Sequence, residues 1–289
     1  MYTSIEELLS QAVERQVSLW RIVLENECRL SECTEEAVFA RLEERFQVME
    51  QSAARALESP LNAGTLIDGG ASTQRAYAQT GGIMGEFLNL LMARALSCSE
   101  VNASMGRICA APTAGACGIL PAVLISLGEK YQLPRRQILE ALLTASGIGA
   151  VITRNATVSG AEGGCQAECG VAAAMSAAAA VQMADGSPEA AVQACSLALC
   201  NCMGLVCDPV AGLVQLPCAQ RNASQAVNAL LSADLALAGM ALPIPADQVV
   251  EAMYRTGQLL PIQLKETAMG GIAATPSAKK LAKELLVNK

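Results

Sequence analysis

The stretch GVAAAMSAAAAVQM, residues 170–183, restricts the fold more than any other part of this chain. It carries no charge and is half alanine, the residue with the highest helix propensity. A membrane span requires about 20 predominantly apolar residues. This run is shorter and contains Ser176 and Gln182. It reads as a helix buried in the protein, packed closely against its neighbours.

The rest of the chain agrees with helical surroundings. Apolar residues make up 52% and charged residues only 16%, which demands extensive burial. The apolar mass is Ala, Leu, Val and Met, with just 3% aromatics, whereas β-branched and aromatic residues lead in sheets. No segment sustains a period-two alternation. The expected class is all-α, and 289 residues suffice for a large core. A net charge of −7 with no basic stripe argues against a nucleic-acid partner. The opening MYTSIEELLSQAVERQ is acid-rich and amphipathic, and reads as neither a secretory signal nor a transit peptide. The expectation is a cytoplasmic protein, not bound to a membrane, with its thiols reduced.

Apolar residues from Ile5 to Leu24 recur at spacings of three and four, with Thr3 and Glu6 as a capping box. Thr34-Glu35-Glu36 opens a second helix towards Glu58. Residues 1–58 thus read as an N-terminal helical hairpin packed on a helical domain at 59–289, the whole forming one integrated unit. The Gly-, Ser- and Thr-rich residues 59–82 read as a loop or linker. Further helices are expected over 83–96, 134–146, 167–184, 188–203, 219–240, 246–259 and 276–286. Pro121, Pro134 and Pro188 sit at helix starts, with Ser187 as a cap.

Twelve cysteines and no histidine raise the question of what the thiols do. Most read as buried packing residues. Cys165, Cys207 and Cys218 differ, because each adjoins a helix breaker: Gly163-Gly164, Asp208-Pro209 and Pro217. Structural zinc usually takes four Cys or His ligands in paired knuckles, and no CxxC occurs here. Iron–sulfur clusters are held by thiolates, usually four. From spacing alone, packing and cluster ligation both stand.

Four longer motifs narrow the choice: APTAGACGILPAVL (111–124), NATVSGAEGGCQAECG (155–170), CDPVAGLVQLPC (207–218) and KETAMGGIAA (265–274). In these the chain resembles the α chain of the bacterial iron–sulfur L-serine dehydratases over nearly its whole length. The resemblance implies a [4Fe–4S] cluster on Cys165, Cys207 and Cys218, and conversion of L-serine to pyruvate and ammonia. It implies a separate β subunit, because the α/β domain with an SSSHT motif found in single-chain members is missing. An imidazole, if one is used, would then come from the partner. Some single-chain relatives also place a C-terminal cysteine on the cluster, whereas this chain ends LLVNK.

Within the motifs Lys265 is a candidate clamp for a substrate carboxylate, ahead of its candidacy as a base. Thr113, Asn155 and Ser159 are candidate donors to that carboxylate or to cluster sulfurs, or else cap local turns. Glu162 and Glu168 flank Cys165 as candidate bases or helix caps. Arg107 and Arg154 are further candidate clamps. Alternatives are a cluster-dependent L-cysteine desulfidase or related amino-acid lyase, a pyridoxal-phosphate enzyme, which the helical pattern disfavours, and a non-enzymatic iron–sulfur sensor.

Overall fold

The computed structural model describes residues 1–287; Asn288 and Lys289 of the LLVNK terminus lie outside the described residues. The N-terminal segment holds α1 (Ile5–Glu14), α2 (Leu19–Leu30) and α3 (Glu35–Arg55). Next come α4 (Gly70–Ala78), α5 (Gly85–Ala103), α6 (Ile119–Tyr131) and α7 (Arg135–Asn155). A single turn, α8 (Gly160–Gly163), leads through Cys165 into a π-helical turn at Gln166–Gly170 and then α9 (Val171–Met183). The chain continues with α10 (Pro188–Cys202), α11 (Cys218–Leu237), α12 (Ala246–Leu259) and α13 (Pro276–Val287). Among the described residues there is no strand, and the lone bridge joins Cys207 to Lys265.

Helix α9 is the axis. Every residue in it except Gln182 is buried. It is flanked by α6, α7, α10 and α11, which its alanine surface allows to approach closely. One continuous core runs from Tyr2 through α9 to Met253, so the N-terminal helices share it. The region expected as two helices contains three. The apolar stripe stays in phase across residues 15–18, yet Gln16 takes a positive φ of 54° and ends α1. The cap also sits one residue later than expected. Ser4 accepts from the Glu7 N–H at 3.0 Å, and Asp247 of α12 accepts from Ile5 and Glu6, both at 2.9 Å.

Most other boundaries follow their breakers. Ser187 caps α10 through the Ala190 N–H, and α12 matches its expected span. The 59–82 segment conceals α4, whose N-terminal N–H groups are capped from α5: Glu100 accepts from Gly69 at 3.1 Å and Ala71 at 2.7 Å. No local signal marks such a distant cap.

Gly118, in the APTAGACG motif, is required by packing. A Cβ there would lie 2.4 Å from the Ala95 carbonyl oxygen of α5, and backbone cannot swing aside as a side chain can. Gly118→Ala should therefore cost about 1–3 kcal/mol of overpacking strain. Calorimetry should show a drop of several degrees in the thermal midpoint; an unchanged midpoint would contradict this packing role.

Candidate functional site

The four motif loops meet at the N-terminal end of α9. Helices α6 and α11 also begin there, while α7 and α10 end there, so every intervening loop faces the same region. Three side chains lock these loops together. Asn222 of α11 accepts from the Gly118 N–H at 2.8 Å and donates to the Gly115 carbonyl at 2.7 Å. Gln166 donates to the Gly163 and Met253 carbonyls and accepts from the Gly204 N–H. Gln215 accepts from the Leu66 N–H at 2.8 Å, drawing the 59–69 loop against the loop before Cys218.

Cys165, Cys207 and Cys218 are all buried here and lie within coulombic reach of one another. Their environments differ. The neighbouring Cys169 thiol holds the Cys165 thiol below its ordinary range, with Arg221 assisting. Burial pushes Cys218 up to about 12 and Cys207 higher still. Burial also raises the carboxyl of Glu168, whose Oε2 accepts from the Cys207 thiol at 3.9 Å.

The fourth loop is stitched on by its backbone. The Cys207 N–H donates to Leu264 O at 2.9 Å, and the Glu266 N–H donates to Cys207 O at 2.7 Å. Asp208 adds a buried pin: its Oδ2 accepts from the Ile272 N–H at 2.7 Å. Its Oδ1 lies 2.7 Å from Arg221 Nη2 as an ion contact without an aligned hydrogen bond. Arg221 Nη1 donates to the Val206 carbonyl at 2.8 Å, and the guanidinium also faces Cys165. Arg221, a helical turn beyond Cys218, thus touches two motifs directly, and Asp208 extends the link to a third at Ile272.

The other expected site residues divide. Thr113 borders the thiols beside Glu168; its hydroxyl is buried and has no aligned partner among the described residues. Ser159 precedes Gly160, whose α-carbon abuts both Glu168 and Cys207, and its hydroxyl makes no cap to α8. Lys265 is half-buried on the bridge to Cys207 and makes no ion pair among the described residues. Asn155 does not join the group: it is exposed, and its Nδ2 donates to the Thr3 carbonyl at 2.8 Å. Arg107 and Arg154 are also exposed. Glu162 turns back to the Thr157 hydroxyl. Sequence reasoning missed Arg221, Asn222 and Asp208. The one available signal was spacing, since residues 218, 221 and 222 share a helix face.

Among the described residues no three Cys, Asp or Glu side chains converge tightly enough to grip a single metal ion. A cluster makes a different demand, because each thiolate binds its own iron. Three buried thiols in mutual reach, with the unpartnered Thr113 hydroxyl beside them, form a donor set that suits a cluster better than one ion.

A family profile described as "Serine dehydratase alpha chain" matches residues 14–273. The chain belongs to this family. The "L-serine dehydratase, alpha chain" of Peptoniphilus asaccharolyticus is 47% identical over 99% of both chains. The "Probable L-serine dehydratase, alpha chain" of Bacillus subtilis is 42% identical, over 99% of this chain and 95% of the relative. An L-serine dehydratase of Escherichia coli, TdcG, is 37% identical over 94% of this chain but only 61% of its own length. This serine dehydratase family member thus aligns end to end with separate alpha chains and with one part of a longer chain. No described helix is long and apolar enough to cross a membrane.

The pin can be tested without any cofactor. Asp208→Ala should destabilise the protein by about 3–5 kcal/mol, because it leaves a largely buried guanidinium uncompensated. Adding Arg221→Met should restore part of that loss in denaturant unfolding. Strict additivity of the two changes would refute the coupling.

Proposed function

We propose that this chain is the α chain of a two-chain L-serine dehydratase, converting L-serine to pyruvate and ammonia with a [4Fe–4S] cluster held by Cys165, Cys207 and Cys218. What supports the proposal is that these three thiols are buried within reach of one another's charge, in a chain that aligns end to end with alpha chains bearing that name. The β chain would be a separate polypeptide. A cytoplasmic location is consistent with so many free thiols.

The reaction removes the α-proton and expels the β-hydroxyl as water. The resulting aminoacrylate tautomerises to an imine, which water hydrolyses to pyruvate and ammonia. When bound, the cluster would supply a Lewis acid that makes hydroxide a tolerable leaving group.

The chain's own residues would bind and orient the substrate. Lys265, paired through its backbone with Cys207 and without an ion pair among the described residues, would clamp the carboxylate. The unpartnered Thr113 hydroxyl and the uncapped Ser159 hydroxyl offer hydrogen bonds at the same site. The burial of the three cysteines limits bulk water beside them, which strengthens the polar contacts there.

Anaerobic co-purification with the β chain tests this reading. The complex should contain iron and sulfide, absorb in the visible, and release pyruvate from L-serine faster than from L-threonine. It should release sulfide from L-cysteine more slowly still. Cys165→Ser, Cys207→Ser and Cys218→Ser should each lose the chromophore and the activity, while Cys200→Ser, at an exposed helix position, should keep both. An iron-free active complex, or faster turnover of L-cysteine, would overturn the proposal.

A further inference from the structure

Glu168 stands on the π-helical turn that follows Cys165, a backbone form frequent at functional sites. It is largely buried yet keeps some contact with solvent. Among the described residues no arginine or lysine pairs with it. Its polar neighbours are a thiol and a hydroxyl: Cys207, with Sγ 3.9 Å from Oε2, and Thr113, whose hydroxyl is otherwise unpartnered. The other acid it feels, Glu266, adds to the negative potential. Arg221, the buried cation of the site, is already engaged by Asp208, the Val206 carbonyl and Cys165.

The backbone around this carboxylate is stripped of side chains. A Cβ on Gly160 would lie 2.5 Å from Glu168 Oε2 and 3.0 Å from Cys207 Sγ. A Cβ on Gly115 would lie 3.2 Å from Glu168 Oε1. Two motif glycines therefore make room for a carboxylate that has no countercharge. A partly buried carboxylate without a cation weakens the fold, and the deficit disappears if a ligand brings the cation.

We infer that Glu168 receives the α-ammonium group of the amino-acid substrate. The inference rests on the serine dehydratase reading above. In L-serine the ammonium and the β-hydroxyl stand on adjacent carbons, so their receptors must be close neighbours. The short separation of Glu168 Oε2 from the Cys207 sulfur meets that condition. Glu168 would thereby select amino acids over hydroxy acids of the same length.

The test compares L-serine with 3-hydroxypropionate, which is serine without its amino group, on the anaerobic two-chain complex. Glu168→Gln should raise the KM for L-serine about 10- to 100-fold, as expected for a lost charge-assisted contact, with a smaller effect on kcat. The inhibition constant of 3-hydroxypropionate should change little. Independently of turnover, L-serine added just before freezing should perturb the electron paramagnetic resonance of the reduced wild-type cluster at concentrations that leave the variant unaltered. Glu168→Asp should recover part of the affinity, and it carries the same comparison if the glutamine variant fails to hold its chromophore. An unchanged KM, a collapse of kcat alone, or equal losses for both ligands would each overturn the role of Glu168. A wild-type complex that makes no pyruvate would instead contradict the activity.

Discussion

The site depends on the burial of α9 on all sides. Only a helix with an alanine surface lets α6, α7, α10 and α11 close around it, and that crowding brings their ends to one place. Cys218 opens α11 and so sits at a helix N-terminus. Partial positive charge at helix N-termini favours anions and thiolates. Burial opposes this, and it prevails at Cys207 and Cys218, whose thiols it pushes above their ordinary range.

The interior of the site is thus electrostatically unfinished. Among the described residues Arg221 is its one buried cation, and Asp208 already occupies it. Against it stand the Cys165 thiol, held below its ordinary range, and the carboxyl of Glu168, beside two further thiols that can give up protons to a metal. Such an assembly suits positively charged occupants: metal centres that replace thiol protons, and a substrate with an ammonium group. The Asp208–Arg221 pin also explains how the 264–272 segment stays in place with little regular structure. Its anchors are a buried carboxylate and the backbone of Cys207.

Fold class, the central helix and most later boundaries were legible because their signals are local. Pro188 and Ser187 start α10, and alanine content alone marks α9. What escaped was decided at a distance. Helix α4 hides in a Gly- and Ser-rich segment because its cap, Glu100, comes from another helix. The break between α1 and α2 leaves the apolar stripe in phase, so periodicity cannot reveal it. At the site, flanking breakers and the motif resemblance single out Cys165, Cys207 and Cys218, and the structure buries all three. Arg221 was not, since its partner Asp208 lies in a different loop. Asn155 shows the converse error: it lies in a motif, yet its amide serves to hold the N-terminus at Thr3.

The central claim is that the sulfurs of Cys165, Cys207 and Cys218 surround one iron–sulfur centre. Its most direct test is an anomalous difference map at the iron edge, from crystals of the two-chain complex grown without oxygen. The map should show a single compact iron peak bordered by those three sulfurs, beneath the loops pinned by Asp208 and Arg221. Iron bound to other cysteines, or a fully loaded and active complex with no iron at this site, would contradict the claim.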